Sequence, residues 1–345
     1  MDYTDSSLQE IVLHKVGNKL LEEGLHLSKS PLRINQDLNI LLTDYFFSAF
    51  KTNEYFNFHH DSNLQMNEVF TYVSEVFDNP DSLHEQSINL AKHLYEQSIH
   101  PKIKGGEFYT AYFADCMVDG RRADAVGLFK SENKDTFLKV LASEDNYALI
   151  SEKGMNLSKL DKGCLIFNLD KEDGYIVSIV DNTNRGTDAQ YWIDDFLHVC
   201  QRKDEYYNTQ NVLTLCKTFV TKELPEQFEV TKADQVDLLN RSVKFFKEND
   251  CFDINDFENE VMAQPEIIES FKSYKSSFQR ENDVELSDNF SISESALKKQ
   301  SRIFKSVIKL DKNFHIYIHG DRKLIEQGVD EHGQKFYKIF YNEEN

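Results

Sequence analysis

Two stretches of this chain alternate apolar and polar residues around an Asp-Gly pair, and this pattern restricts the fold more than any other feature. Residues 105–141 are rich in aromatic and β-branched side chains, with Asp119-Gly120 between two such runs. Residues 162–182 repeat the pattern around a second Asp-Gly pair. Asp-Gly between alternating runs is typical of a tight β-hairpin turn. We therefore expect two hairpins that join in one antiparallel sheet.

Segments with helical spacing of apolar residues flank these hairpins. A further strand is predicted at residues 8–16, and Thr231 with Asp234 forms a capping-box pattern that opens a helix. The other predicted helices span residues 36–50, 67–98, 189–222, 253–264 and 265–281. Because the early helices adjoin the strands in sequence, we expect them to cover the sheet.

The segment LPEQFEVTKAD, residues 224–234, separates the two halves of the chain because it carries a proline and lacks periodic apolar residues. We place a domain boundary there, with an α+β domain at 1–222 and a helical domain at 223–345. The second domain is expected to end in a small antiparallel sheet made of residues 303–310, 314–319 and 335–341. The predicted fold class is α+β: an N-terminal antiparallel sheet with covering helices, and a C-terminal helical domain ending in that small sheet.

Composition agrees with a folded protein of two ordinary domains. The chain has 345 residues, of which 40% are hydrophobic and 28% charged. Its five cysteines are widely separated and form no CxxC pair, so we expect neither a disulfide framework nor a zinc knuckle. The N-terminus lacks the features of a signal peptide, and no window approaches the ~18 apolar residues of a membrane span. We expect a soluble, cytoplasmic protein with no membrane partner.

The formal net charge of the chain is -20, yet one short segment is basic. Residues 296–323, called the basic segment below, contain eight basic residues and two acidic ones. The basic residues are Lys298, Lys299, Arg302, Lys305, Lys309, Lys312, Arg322 and Lys323. Lys298 and Arg302 would share a helix face and Lys305 and Lys309 a strand face, so together they could form one cationic ridge. We predict that these eight residues contact nucleic acid; the alternative is a solvated surface of mixed charge.

No enzyme motif stands out. The chain has no Walker A loop, GxGxxG, GxSxG or HExxH sequence. The GGEF sequence at 105–108 lacks the second acid of a cyclic-dinucleotide synthase signature, so we interpret its glycines as the entry into a strand. We therefore predict no catalytic residues and no cofactor, although a catalytic site assembled in space stays an open alternative.

Two segments place histidines next to acidic or thiol side chains and are therefore candidate metal sites. His59, His60 and Asp61 are adjacent, and neighbours in an extended chain point to opposite faces, which favours a surface loop. His198 and Cys200 lie near a pair of aspartates, but residues two apart diverge on the helix predicted there. We predict no metal site.

Four segments together carry a family resemblance. They are the Gly-Gly strand entry at 105, YWIDDFLHVCQ at 191–201, CFDINDFENEV at 251–261, and DNFSISESALKKQ at 288–300 leading into FHIYIHGDRKLIEQGV. In these segments and their order the chain resembles the bacterial nucleoid-associated protein family of the YejK/NdpA type. The resemblance implies a non-enzymatic cytoplasmic protein found with the chromosome, with type II topoisomerases as partners. It supplies no functional residues.

Three hypotheses about function follow. The first is a nucleoid-associated protein that contacts DNA weakly through the basic segment and acts in chromosome organisation. The second is an acidic adaptor or DNA mimic that regulates a DNA-binding partner without contacting DNA itself. The third is an enzyme with a spatially assembled site. The sequence leaves the oligomeric state open.

Overall fold

Contacts within the chain divide it into two units, residues 1–202 and 203–345. The computed structural model describes residues 3–143, 146–183, 191–301, 304, 307–317 and 324–343. The division lies between Arg202 and Lys203, whereas the sequence places the boundary between residues 222 and 223. Within the described ranges, no helix is both long enough and apolar enough to cross a membrane.

An eight-stranded sheet forms the centre of the first unit, and its strands are antiparallel, as predicted. The described strands of this unit are Ser7–Val16 (β1), Leu25–His26 (β2), Phe56–Phe58 (β3), Gly106–Val118 (β4), Arg121–Ser131 (β5), Asp135–Ser143 (β6), Asn146–Gly154 (β7), Lys162–Phe167 (β8), Ile176–Asp181 (β9) and Val199–Gln201 (β10). The strand order in the sheet is β10-β3-β9-β8-β5-β4-β1-β2. The two predicted hairpins, β4–β5 and β8–β9, are therefore confirmed as parts of one sheet.

Neighbouring residues along the strands alternate between two hydrophobic cores. Val12 and Leu128 belong to the core covered by helices Glu68–Asp78 (α2) and Leu83–Gln97 (α3). Their neighbours Ile11 and Phe129 belong to the core under Gln36–Phe47 (α1), where the Phe46 ring stacks on Phe129 at 3.9 Å between centroids. Because successive side chains of a strand point to opposite faces, the sheet packs against helices on both sides, as expected for covering helices.

Glycines stand at both ends of the β4–β5 hairpin, where the backbone conformation and the close packing require them. Asp119 and Gly120 have φ angles of 49° and 68°, as the turn between two twisted strands requires. At the other end of the hairpin, a Cβ atom on Gly106 would overlap the carbonyl oxygen of Ser131. The Gly-Gly pair therefore serves the entry into β4, which agrees with the interpretation from sequence.

The strands β6 and β7 form a separate two-stranded hairpin, called the β6–β7 hairpin below. In the sequence it lies between β5 and β8, which are neighbours in the large sheet. Every described residue in 136–142 and 146–153 is exposed, so the hairpin projects from the first unit. The alternating pattern in the sequence extends only to residue 141 and does not predict β7.

Helices and their aromatic side chains build the second unit. The described helices are Glu205–Thr218 (α4), Leu224–Gln227 (α5), Lys232–Glu248 (α6), Ile254–Phe257 (α7), Pro265–Glu281 (α8) and Glu294–Ser301 (α9). The π-helical turns Phe219–Glu223 and Glu258–Met262 continue α4 and α7. Phe219 packs on Phe271 at 5.2 Å between ring centroids, so α4 shares its core with α8.

The capping box at the start of α6 is present as predicted. The Asp234 backbone N–H donates to Thr231 Oγ1 at 3.2 Å, and the Thr231 N–H donates to the Asp234 carboxylate at 2.9 Å. These bonds satisfy backbone donors that have no partner inside the helix.

The second unit contains short antiparallel pairs, so the predicted helical domain with small antiparallel strands is confirmed. Its described strands are Cys251–Asp253 (β11), Asn289–Ser291 (β12), Val307–Leu310 (β13), Phe314–Tyr317 (β14), Ile325–Val329 (β15) and Lys335–Ile339 (β16). The expected third strand, β16, pairs with β15 and not with the β13–β14 hairpin. A local turn at 330–334, with Gly333 at φ 79°, closes this last hairpin on itself.

One helical prediction is wrong. Val199 was placed on the buried face of a helix, but it lies in β10 and pairs with Phe58. The preceding π-helical segment Trp192–Leu197 ends at His198, whose φ of 50° turns the chain out of the helix. Strand pairing across more than a hundred residues overrides local helical spacing here.

Candidate nucleic-acid interface

The described cations of the basic segment are all exposed. Lys298 and Lys299 occupy the last turn of α9, where positive charge also favours the helix end. Lys309 lies on β13 and Lys312 in the turn that follows it. The other predicted contact residues, Arg302, Lys305, Arg322 and Lys323, lie outside the described residues. The proposed ridge can therefore be followed at four of its eight positions.

Most of these four cations are available for an external anion. Lys299 Nζ lies 5.5 Å from the ring centroid of Tyr206, a cation–π contact. Within the described ranges, the side chains of Lys298, Lys309 and Lys312 have neither an ion pair nor a hydrogen bond. Exposed, unpaired ammonium groups can exchange their counterions for phosphate oxygens.

The hairpin that carries Lys309 has one apolar and one polar face. Ile308 is 3% exposed and packs with Val236 of α6. Lys309 points away from that core and pairs across the strands with His315, which is also exposed. The strand register thus fixes the cation on the outer face, because alternate residues of a strand point to opposite sides.

A second cationic surface, not predicted from sequence, lies in the first unit. A depression of about 1120 Å³ is lined by five lysines and three acids among its polar residues. The lysines are Lys51, Lys102, Lys104, Lys134 and Lys159, and the acids are Glu132, Asp135 and Asp161. These lysines are spread over more than a hundred positions, so no local charge run could reveal them. Lys134 is paired with Glu107 and Lys159 with Asp135, so the excess of cations over acids at the depression is small.

A buried ionic cluster lies beside this depression. Lys130, which is 0% exposed, donates to the Tyr191 hydroxyl at 2.9 Å and to the Lys104 carbonyl at 2.8 Å. Its Nζ lies 3.2 Å from the Glu132 carboxylate, which also accepts from Tyr191 at 2.9 Å. Burial lowers the pKa of Lys130 and raises that of Tyr191 well above its ordinary value. Within the cluster, Lys130, Glu132 and Tyr191 thus satisfy one another's hydrogen-bonding groups.

The structure brings His198 close to His59 and His60, which lie far from it in the sequence. The His198 ring lies 6.2 Å from His59 and 5.9 Å from His60, measured between centroids. Pairing of β3 with β10 causes this, because His59 N–H donates to the His198 carbonyl at 3.1 Å. Cys200 is exposed on β10 and Asp194 has its pKa raised, first by burial and then by Asp195. In the part of the chain that the structure describes, no group of three or more His, Cys, Asp or Glu side chains is arranged to hold a metal ion.

Comparison with known proteins identifies the family of this chain. No curated protein matches the chain. A family model described as "Nucleoid-associated protein YejK" matches residues 12–345, which includes most of the first unit, the second unit and all of the basic segment. This agrees with the resemblance seen in the sequence, and that family is not an enzyme family. The chain therefore belongs to the nucleoid-associated protein family of the YejK type.

Proposed function

We propose that this protein binds DNA directly, weakly and without sequence preference, through the basic segment, as a non-enzymatic component of the nucleoid in the cytoplasm. Family membership supports the association with the nucleoid. The single observation that carries the contact is that Lys298, Lys309 and Lys312 are exposed and unpaired among the described residues. The contact surface comprises the eight basic residues of residues 296–323 named above.

The acidity of the rest of the chain does not prevent such a contact. Outside the basic segment the chain has a formal charge of -26, which repels DNA at long range. At physiological ionic strength the Debye length is about 8 Å, so acids on distant surfaces are largely screened. We expect weak binding. The acidic residues outside the basic segment repel DNA as it approaches, whereas the contacts between the basic segment and the phosphates are favourable.

The test is the salt dependence of DNA binding. If five phosphates are contacted, log K falls with log salt at a slope of roughly -4.5, and a fourfold rise in salt costs about 2.7 decades of affinity. The variant Lys309→Glu/Lys312→Glu should weaken binding to all sequences alike and flatten that slope by about two units. Fluorescence anisotropy with two duplexes of different sequence measures both quantities.

A matched control variant distinguishes the loss of a contact in the basic segment from the effect of a change in total charge. Lys222 and Lys247 are exposed lysines of the second unit outside the basic segment. Lys222→Glu/Lys247→Glu makes the same change in total charge and should leave the slope unaltered. Equal effects of the two variants, or no effect of the first while the protein stays folded, would exclude the basic segment as the DNA contact.

The acidic adaptor is the second candidate function. The observation that favours it is the net charge of -20, which suits a basic partner surface better than DNA. In this case we propose type II topoisomerases, which the resemblance in sequence implies, as the partners. A pull-down from host lysate with and without nuclease distinguishes the two: partners lost with nuclease support DNA-mediated association, and partners retained support the adaptor.

A further inference from the structure

The β6–β7 hairpin exposes an apolar surface that the rest of the described chain does not cover. Register places Val140 opposite Leu149, with Leu138 and Tyr147 on the same side. These four side chains, called the apolar face below, are 61%, 68%, 72% and 78% exposed respectively. Nothing charged lies between them on that side. Contiguous apolar surface of this kind marks an interaction site in a soluble protein.

The opposite face of the hairpin is different. Phe137 and Ile150 are 44% and 38% exposed, and they flank an ion pair between Lys139 and Glu152 at 3.6 Å. The ring of Phe137 also lies over Gly154. This face is partly covered and carries charge, so it can remain in water. The asymmetry indicates which side of the hairpin requires a partner.

The hairpin also has two open strand edges, since among the described residues β6 and β7 pair only with each other. An isolated two-stranded hairpin is at best marginally stable in water, and a third layer or strand is normally needed. The large sheet does not supply that layer. A partner that covers the apolar face would supply that layer.

We propose that the apolar face is a homodimer interface, in which the hairpins of two copies of this chain pack face to face. Four side chains with these exposures present on the order of 500 Å² per copy, so two faces bury about 1,000 Å², which reaches the lower limit for a biological interface. Two identical apolar faces complement each other in a two-fold symmetric contact.

The charge of the hairpin argues against DNA or a charged protein as the partner that covers the apolar face. The described residues of the hairpin include two acids, Asp135 and Glu152, and two lysines, Lys139 and Lys153. It has no excess of cations for DNA, and among the described residues on the side of the apolar face only Lys153, at one end, is charged. A neutral contact surface is what two copies of a strongly acidic chain need if they are to approach.

The mass of the full-length protein in solution tests the proposal. Sedimentation velocity without DNA, from about 1 to 100 µM, should show a species of twice the 40.3 kDa chain mass. Because like-charged copies repel, added salt should strengthen the dimer, whereas it weakens DNA binding. The two proposals can therefore fail separately.

Paired substitutions test the face itself. Leu138→Glu/Leu149→Glu and Leu138→Lys/Leu149→Lys should each raise the dimer dissociation constant at least about a hundredfold. An equimolar mixture of the two variants should regain the dimer mass, because opposite charges then meet across the interface. Leu20→Glu/Leu21→Glu is the control, since these leucines are 54% and 55% exposed elsewhere in the first unit; this variant should remain dimeric.

Three results would overturn the proposal. A monomeric wild type throughout that concentration range would assign the face to a different partner. A dimer that survives the Glu substitutions would place the interface elsewhere. A mixture that stays monomeric, with both variants folded by circular dichroism and by the fluorescence of Trp192, would exclude the face-to-face contact.

Discussion

Lys130 illustrates how a single buried charge is tolerated in the first unit. Its ammonium group and the Glu132 carboxylate share Tyr191 as a common hydrogen-bonding partner. Removing one charge of such a pair leaves the other without compensation, whereas neutralising both can be far less harmful. The chain also provides a convenient reporter, because its single tryptophan, Trp192, is buried next to Tyr191 in the first unit.

We expect Lys130→Met to lower the free energy of unfolding of the first unit by about 3–5 kcal/mol, because Glu132 then stays buried and unpaired. Lys130→Met/Glu132→Gln should recover part of that loss. Urea unfolding followed by Trp192 fluorescence measures the coupling in a double-mutant cycle. The control is Lys19→Met, which removes an exposed ion pair with Glu96 and should cost less than about 1 kcal/mol. Additive losses in the buried pair would contradict the coupling.

His14 predicts a pH dependence. Burial and the nearby His84 lower its pKa from 6.5 to about 4. Its Nδ1 accepts from the Ser28 N–H at 3.1 Å, so Nε2 carries the proton and donates to Ser87 Oγ at 2.9 Å. The unfolded chain takes up a proton near pH 6.5 and the folded one only near pH 4. Stability from this residue is therefore present above pH 6.5 and is lost as the pH falls toward 4.

The full loss from His14 amounts to about 3 kcal/mol between those two pH values. His14→Gln should be less stable than the wild type at pH 7 but should lack this part of the acid dependence. Unfolding followed by Trp192 fluorescence between pH 7 and 5 is most diagnostic, because most carboxylates titrate lower. Parallel stability curves for the two proteins would show that His14 does not titrate as described.

At the scale of elements, the sequence predicts structures that depend on neighbouring residues. It does not predict those that depend on residues far apart in the chain. The Asp119-Gly120 hairpin and the Thr231 capping box follow from a few neighbouring residues, and both are present. β10 was missed because its strand conformation depends on pairing with β3, far away in sequence. The lysine-lined depression was missed for the same reason, since the sheet brings its residues together. For the basic segment, sequence located the charges, and the strand register then oriented Lys309.

Limited proteolysis tests the predicted boundary. We expect the first cut between residues 224 and 234, where Pro225–Gln227 and the following irregular residues are largely exposed. The two fragments should nevertheless elute together, because Phe219 and its neighbours on α4 pack in the core of the second unit. Fragments that separate without denaturant would support independent domains divided at 222/223. A first cut elsewhere would contradict the predicted boundary.

The whole molecule combines an acidic background with one basic segment and one apolar hairpin. If both proposals hold, salt acts on them in opposite directions, because it screens repulsion between copies and competes with phosphate contacts. Moderate ionic strength would then favour a dimer with two basic segments. Two linked weak contacts bind DNA more tightly than either alone.

The strand order of the sheet also has a consequence for how the protein is made. β3 pairs with β9 at Phe56 and Val177, so its partner is synthesised roughly 120 residues later. At about 5–20 residues per second, translation takes on the order of 6–24 s to cover that distance. During this interval the aromatic strand β3 has no sheet to join, while β4 and β5 can already pair. The nascent chain is therefore most vulnerable to aggregation before residue 201 emerges, and a stalled ribosome in this region would expose apolar surface to the cell's chaperones.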